Sequence, residues 1–350
     1  TVSGGATLTF SGALVSGDNV FMGYNAGGGA WTFKECNYNV GIGTFALDAN
    51  LDGATSNTGV GHAALTSVTS GNHNTSIGNI SGDGIITGGY NTSVGSSALS
   101  SAAGDANTCI GYAAGVVLTG SGNTNIGYAS AYTGTGIAHT SSLGHSALYT
   151  ASDNAANGTV AIGYNAGYSY NPSGSADAGG TVLIGKDCGN DTGHSTHGLT
   201  TGLRNTAVGF EAFGANANAS LTGDDNVIMG YRAGYGMNGA AHGNIVIGSI
   251  AMTTNTTGVE NVCIGHYAGR LLTAGSSAEL AQQNVAIGGY ALQAAAGGNT
   301  RSTVVGYGTF YSQDSADDAV AYNVGLGYAS GYHVSTGINN CFIGSLAGQG

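Results

Sequence analysis

The sequence predicts an all-β chain built as a parallel β-solenoid, or β-roll, of about eighteen coils. Three observations support this prediction. Glycine supplies 66 of the 350 residues while charged residues make up only 7%, one short segment recurs along nearly the whole chain, and apolar residues alternate within each copy. A repeat of this length, with one strand and two Gly/Asn turns, is too short for paired helices or a propeller blade. It is typical of one solenoid coil.

The repeat becomes visible when its copies are aligned on a glycine. The first copies read NVFMGYNAG, NVGIGTFAL and NTGVGHAAL, and the last reads NCFIGSLAG. Eighteen anchor glycines run from Gly23 to Gly344, at spacings of 16 to 24 residues. With one coil per copy and about 4.8 Å between coils, we expect a rod roughly 85 Å long.

A short strand precedes each anchor glycine. The residue before the glycine is Ile, Val, Leu or Met in every copy, and two positions earlier it is mostly Val, Ile, Thr, Ser or Cys. This is the alternation of a strand with one buried face, so we expect these two columns to point inward. The glycine suits a bend with positive φ or a close backbone approach. The residue three positions later, Ala in thirteen copies, indicates that another backbone passes nearby.

Asparagine stands four residues before the anchor glycine in fourteen copies. Asn tolerates the left-handed backbone region, and its amide can bond the equivalent Asn one coil away. We therefore expect each coil to turn at this position and the turns to be joined by an Asn ladder.

The middle residue of each strand points to the opposite face and predicts an interface. Lys, Glu and Asp never occur in this column, and a coil with two aliphatic residues and one Ala buries little apolar surface by itself. We expect three parallel chains to pack together, as a homotrimer, along this face. The large residues in the column are Phe21, Leu183, Ile228, Val246, Val304 and Phe342.

Two segments make up the chain. Residues 1–18 contain alternating apolar residues and predict a strand or hairpin that caps the first coil, because the end of a solenoid is an open sheet edge. Residues 19–350 form the rod. The sequence stops directly after a repeat, so we expect that a following domain has been removed.

Insertions between the repeats are the expected carriers of recognition, because loops on a regular scaffold vary most freely. The longest are 168–180, 190–203, 270–283 and 311–321. Aromatic and hydrogen-bonding side chains in these loops are the candidate receptor contacts: Tyr168, Tyr170, His194, His197 and Arg270.

Composition argues against two kinds of partner. Six Lys and Arg against eighteen Asp and Glu give a net charge of −12, which offers no footprint for nucleic acid. No apolar run reaches the length of about 18 residues that predicts a membrane-spanning helix.

Residue patterns that carry catalysis or bind metal are scarce, and we expect no enzyme activity, no cofactor and no metal. His194 and His197 lack further ligands that would complete a tetrahedral metal set. The pairs Asp224–Asp225 and Asp317–Asp318 would suit a polysaccharide-degrading tailspike. Adjacent strand residues face opposite ways, however, so solvated turns are the simpler interpretation.

Cysteine and tyrosine are placed regularly. The cysteines are spaced 73 to 79 residues apart, about four coils, which excludes disulfides within the chain and predicts small buried apolar residues. Tyr follows the anchor glycine in seven copies. Stacking that stiffens the rod is the simpler interpretation, and a sugar-binding surface that includes Tyr112 and Tyr128 is the alternative.

The repeated N-[TV]-x-[IV]-G-x-x-A-[GL] unit, over about residues 19 to 350, resembles the left-handed parallel β-roll of trimeric autotransporter adhesin heads. It is even more similar to the NTAIG-type repeats of bacteriophage tail fibres. The resemblance implies a left-handed roll, a homotrimer and a shaft or head that carries or forms a receptor-binding surface.

These observations lead to a functional hypothesis: an extracellular, cell-surface or virion trimeric fibre or adhesin segment that binds a receptor, expected to be a glycan, through its loops. An ice-binding solenoid is the alternative from another class. It rests on a threonine column in five successive coils, which we expect to face inward because the same column holds Val elsewhere: Thr58, Thr75, Thr92, Thr108 and Thr124.

Overall fold

A computed structural model gives the fold of the chain. It describes residues 18–29, 36–151, 156–172, 179–190, 198–199, 201–215, 220–237, 239, 241–254, 258–272, 282–295, 301–313 and 320–349. The predicted cap at residues 1–18 lies outside the described residues except for Asp18. The chain divides into two compact units, residues 1–143 and residues 144–350.

The first unit is a parallel β-solenoid with one three-residue strand per repeat. Neighbouring strands pair in parallel with equivalent residues in register, as Thr75 with Thr92 and Ile77 with Val94. The strands are β1 (Val20–Met22), β2 (Val40–Ile42), β3 (Thr58–Val60), β4 (Thr75–Ile77), β5 (Thr92–Val94), β6 (Thr108–Ile110), β7 (Thr124–Ile126) and β8 (Ser141–Leu143).

The second unit repeats this construction with ten strands and adds a short two-stranded parallel sheet. The repeat strands are β9 (Val160–Ile162), β10 (Val182–Ile184), β12 (Thr206–Val208), β14 (Val227–Met229), β15 (Ile245–Ile247), β16 (Val262–Ile264), β17 (Val285–Ile287), β18 (Thr303–Val305), β19 (Val324–Leu326) and β20 (Cys341–Ile343). The additional pair is β11 (Gly198–Leu199) and β13 (Ser220–Leu221).

The predicted all-β parallel solenoid is confirmed. The described residues contain no α-helix, and among them no helix has the length and apolar character needed to cross a bilayer.

The anchor glycines take the backbone conformation that the sequence predicts. All eighteen have φ between +124° and +143°, a region that L side chains rarely adopt. At Gly78 a Cβ would lie 2.5 Å from the carbonyl oxygen of Gly95 in the next coil. Glycine is therefore required both by the backbone angle and by the closeness of the neighbouring coil.

The Asn ladder is also present. Asn74 donates from its backbone N–H and from Nδ2 to Oδ1 of Asn57, both at 3.0 Å, and Nδ2 donates again to the carbonyl oxygen of Gly88 at 2.9 Å. The same arrangement joins Asn226 to Asn205 in the second unit. The left-handed residue is the one before the Asn, such as His73 with φ 57°, so the Asn contributes hydrogen bonds to the turn rather than the unusual backbone angle.

The strands face the opposite way from the prediction. In each three-residue strand from β2 to β19 the middle residue is buried, while the residues on either side of it are half-buried or exposed. Alternation was predicted correctly, and the assignment of the inner face was wrong. The interior is completed by aliphatic residues after each strand, such as Leu47, Leu65 and Leu99, so a single chain buries a larger core than two aliphatic columns and an Ala would supply.

The interiors of the two units differ in chemistry. In the first unit the middle column holds polar, hydrogen-bonded residues in four of the strands β4 to β8, with Ser76 Oγ 2.6 Å from Ser93 Oγ and Ser142 donating to Oδ1 of Asn125 at 2.7 Å. In the second unit the same column is mostly aliphatic. These buried polar side chains are tolerated because they bond to one another inside the coil stack.

Candidate functional site: the outer face of the strands

The outer face consists of the first and third residues of the eighteen repeat strands. It carries aliphatic side chains that are exposed among the described residues: Ile77 is 44% exposed and Ile343 is 67% exposed. Neither of these two columns contains a charged residue in any copy. An unbroken aliphatic row at the surface is unusual for a soluble monomer and is typical of a contact surface.

The outer face changes composition from one unit to the other. In β3 to β7 the first residue is always threonine, so a row of hydroxyl groups runs beside a row of Ile and Val. In the second unit the first residue is usually valine or isoleucine, as in Val227 and Ile245. The face of the second unit is therefore the more apolar.

The size of the outer face suits a stable interface. Each three-residue strand presents about 10 Å by 4.8 Å, which gives roughly 400 Å² for the eight strands of the first unit and roughly 500 Å² for the ten repeat strands of the second. One partner in a standard protein interface contributes about 800 Å². The sequence signal that could have identified this face is the absence of charge from both of its columns in every copy.

The predicted interface residues do not lie on an accessible face. Leu183, Ile228, Val246 and Val304 are fully buried within the chain's own coils, which contradicts their assignment to a contact between chains. Phe21 and Phe342 occupy the same column in the first and last strands and are half-buried. The absence of Lys, Glu and Asp from this column reflects burial inside one chain.

The predicted receptor residues are not brought together. Tyr170 is fully buried and its hydroxyl donates to Thr181 Oγ1 at 3.0 Å, so its assignment as a receptor contact was wrong. Burial raises its pKa. Tyr168 is half-buried and stacks on Tyr149, with ring centroids 4.8 Å apart.

Arg270 is half-buried and lies over the ring of Tyr267, 5.0 Å from its centroid. It follows β16, whereas Tyr168 follows β9, so several coils separate them. His194 and His197 lie outside the described residues.

The carboxylates of Asp224 and Asp225 both have partners. Asp224 Oδ1 accepts from the backbone N–H of Leu203 at 2.7 Å, and Asp225 Oδ1 accepts from Arg204 Nε at 2.7 Å. The hydrogen bond from Arg204 lowers the pKa of Asp225. Asp317–Asp318 lies outside the described residues. In the part of the chain that the structure describes, no three His, Cys, Asp or Glu side chains are placed to hold a metal ion.

The cysteines are all free, and four of them are buried as predicted. Burial raises the pKa of the Cys109, Cys188 and Cys263 thiols to about 12. Cys341 departs from the prediction: it is the first residue of β20 and lies exposed on the outer face.

Exposed tyrosines form the predicted ladders along the coils. Tyr112 and Tyr128 stack with centroids 5.1 Å apart and an interplanar angle of 19°. Because stacked rings cover each other's faces, this pair favours the stiffening role over sugar binding.

No family model matches the chain, and no curated protein or solved structure is similar to it. No matching family therefore supports the resemblance to tail fibres and adhesin heads. The fold and the surfaces of the chain are what bear on its function.

Proposed function

We propose that the chain is a structural segment of an extracellular or virion fibre, that it assembles as a parallel homotrimer, and that it carries a contact for a cell-surface glycan. The observation that carries the assembly is the exposed aliphatic outer face. Burying this face against further copies of the chain would remove it from water, which is the main favourable term in protein association.

A homotrimer suits the geometry of this face. Each unit presents one narrow face made of parallel strands, and three such faces can close around an axis so that every copy contacts the other two. Closed symmetry of this kind also prevents open-ended aggregation. A parallel arrangement places the threonine row of β3 to β7 against the same row in the other copies, and the valine-rich face of the second unit against its equivalents.

The chemistry of the carboxylate pair at 224–225 and of the buried thiols favours a binding role over catalysis. The carboxylate pair at 224–225 is held by a backbone N–H and by Arg204, and the buried thiols have raised pKa values, which disfavours the nucleophilic thiolate. Composition supports an uncharged or cationic partner over nucleic acid, because the net charge is −12.

Two measurements test the proposal. Sedimentation equilibrium at micromolar concentration should give a mass three times 34.2 kDa, and a monomer at that concentration would contradict the assembly. Binding of the labelled protein to intact cells and to a printed glycan array tests the receptor role. A trimer that binds no cell and no glycan would limit the function to that of a spacer.

A second candidate is ice binding by the first unit, because the threonine column does not face inward as expected. Thr92 and Thr108 are half-buried and Thr124 is exposed, in register on adjacent strands. Thermal hysteresis of the purified protein tests it directly. Hysteresis that disappears in a Thr92→Leu/Thr108→Leu variant would favour this function, and its absence from the intact protein would exclude it.

A further inference from the structure

A group of exposed and half-buried aromatic side chains in the second unit follows the strands and is not part of the outer face. We call it the tyrosine patch, and it consists of Tyr290, Tyr307, Tyr311, Tyr328 and Tyr332. These residues follow the strands β17, β18 and β19, so three successive coils contribute. Tyr307 and Tyr328 belong to the tyrosine column after the anchor glycine, for which sugar binding was the alternative interpretation, and the other three were not singled out from the sequence.

Two tyrosine ladders run side by side in the patch. Tyr307 stacks on Tyr328 with centroids 5.7 Å apart and an interplanar angle of 8°, and Tyr311 stacks on Tyr332 at 4.8 Å and 10°. Tyr290 lies between the ladders, 5.5 Å from Tyr307 and 6.3 Å from Tyr311. The patch is therefore a surface of two columns rather than a single row.

The orientation of Tyr290 distinguishes the patch from a purely stiffening stack. Its ring is inclined at 64° to Tyr307 and 38° to Tyr311, and it also contacts Tyr267 at 5.3 Å and 32° and His266 at 5.4 Å and 90°, so none of these neighbours stacks on it in parallel. Tyr307 is 52% exposed and Tyr328 is 57% exposed. The patch offers an inclined ring between exposed ring edges, and each ring carries a hydroxyl group.

The backbone permits this crowding at one position. Gly308 has φ +64°, and a Cβ there would lie 3.2 Å from Cε2 of Tyr332. A larger residue would press on the Tyr332 ring, so glycine allows the ring to lie close to the backbone of the preceding coil.

We propose that the tyrosine patch binds a neutral oligosaccharide. Tyrosine presents an apolar ring to the C–H faces of a sugar and a hydroxyl to its polar groups, and no member of the patch carries a formal charge to select an ionic ligand. The ladder repeats at the coil spacing, so successive sugar units of a chain can meet the exposed ring edges and hydroxyl groups of Tyr307 and Tyr328. This inference rests on the proposed receptor role and gives it a site that shares only Tyr311 with the predicted loops.

The test compares two sets of tyrosines. The probe is a printed array of neutral oligoglucosides, oligogalactosides and N-acetylhexosamine oligomers, with sialylated and sulfated oligosaccharides alongside, and the best-bound member is then titrated by calorimetry. A Tyr290→Ala/Tyr307→Ala/Tyr311→Ala variant should raise the Kd at least about tenfold. The matched control is Tyr112→Ala/Tyr128→Ala, which removes a stacked exposed pair from the first unit and should leave the Kd unchanged.

A second variant keeps the test valid if the alanine variant fails to fold. Tyr290→Phe/Tyr307→Phe/Tyr311→Phe retains the rings, should preserve the melting temperature and should weaken binding because three hydroxyl groups are lost. Equal binding by the intact protein and the phenylalanine variant would overturn the site, and so would equal binding by a folded alanine variant. A preference for sialylated or sulfated members would overturn the neutral class.

Failure of the patch and failure of the proposed function give different results. Binding to the array that survives every patch variant would place the receptor contact elsewhere on the chain. Absence of binding to any array member by the intact protein would overturn the inference. Sedimentation would still decide the assembly independently.

Discussion

Ser76 and Ile77 are consecutive residues of β4, and Ser76 is fully buried while Ile77 is 44% exposed. The Ser76 hydroxyl bonds that of Ser93 in the next coil, whereas Ile77 belongs to the outer face. The first unit thus has a polar middle column inside and an aliphatic column outside. If the chains associate through the outer face, the aliphatic column becomes buried at the centre of a larger assembly and is no longer exposed to water.

Removal of one Asn side chain from the ladder should destabilise the first unit. In Asn74→Ala, the backbone N–H of Asn91 loses its acceptor and the Gly88 carbonyl loses a donor, at a cost of about 1–3 kcal/mol for each buried group left unsatisfied. Chemical unfolding should show a lower free energy of unfolding. Asn79→Ala, at an exposed turn position, is the control and should change it little.

Glycine replacements should separate backbone strain from steric collision. Gly78→Ala combines positive φ with a Cβ 2.5 Å from the carbonyl oxygen of Gly95, whereas Gly180→Ala has positive φ and nothing within 4 Å. Strain alone costs roughly 1–2 kcal/mol, so the melting temperature should fall further for Gly78→Ala. Equal losses would show that the coils do not approach as closely as described.

The repeat strands, the anchor glycines and the Asn ladder could all be predicted from the sequence, because each answers a local requirement of the backbone. The inner face could not. Alternation shows that Ser76 and Ile77 point to opposite sides, but it does not show which side is inside. The hydrophobicity of the side chains indicated the wrong side as the inner one, because the buried middle residues of β4 to β8 are small or polar while the outer residues include Ile, Val and Leu. The handedness of the coil stays a prediction.

The candidate surfaces were harder to predict than the fold. Tyr170 lies in the insertion at 168–180, which predicts an exposed loop residue, but its side chain is fully buried. The tyrosine patch depends on contacts between residues about twenty positions apart, such as Tyr311 and Tyr332. Those contacts follow only when the register of the coils is known.

Stability should decrease as the pH rises above 9. The pKa of the Cys109, Cys188 and Cys263 thiols rises from the model-peptide value of 9.0 to about 12 in the folded chain. Between these values the unfolded chain loses protons that the folded chain retains, so unfolding is favoured by about 1.4 kcal/mol per pH unit for each thiol. A Cys109→Ala/Cys188→Ala/Cys263→Ala variant should show a weaker fall in melting temperature from pH 8.5 to 10.5.

Cys341 should report on the direction of the chains. If three copies associate in parallel through the outer face, their Cys341 thiols meet near the axis, and oxidation by copper phenanthroline in air should join two of every three chains. A non-reducing gel should then show dimer and monomer, and Cys341→Ser should show monomer alone. Absence of any cross-link would argue against a parallel arrangement with the β20 strands in contact.

Sedimentation of two matched isoleucine variants tests directly whether the chains form a trimer through the outer face. Ile77 and Ile86 are 44% and 47% exposed and follow each other in one repeat, but only Ile77 lies on the outer face. Ile77→Asp would bury an unpaired carboxylate in the interface, which strongly disfavours association, whereas Ile86→Asp adds the same charge elsewhere. If the chains assemble through the outer face, Ile77→Asp should sediment as a folded monomer, while Ile86→Asp should sediment with the mass of the intact trimer. Trimers of both variants would contradict it.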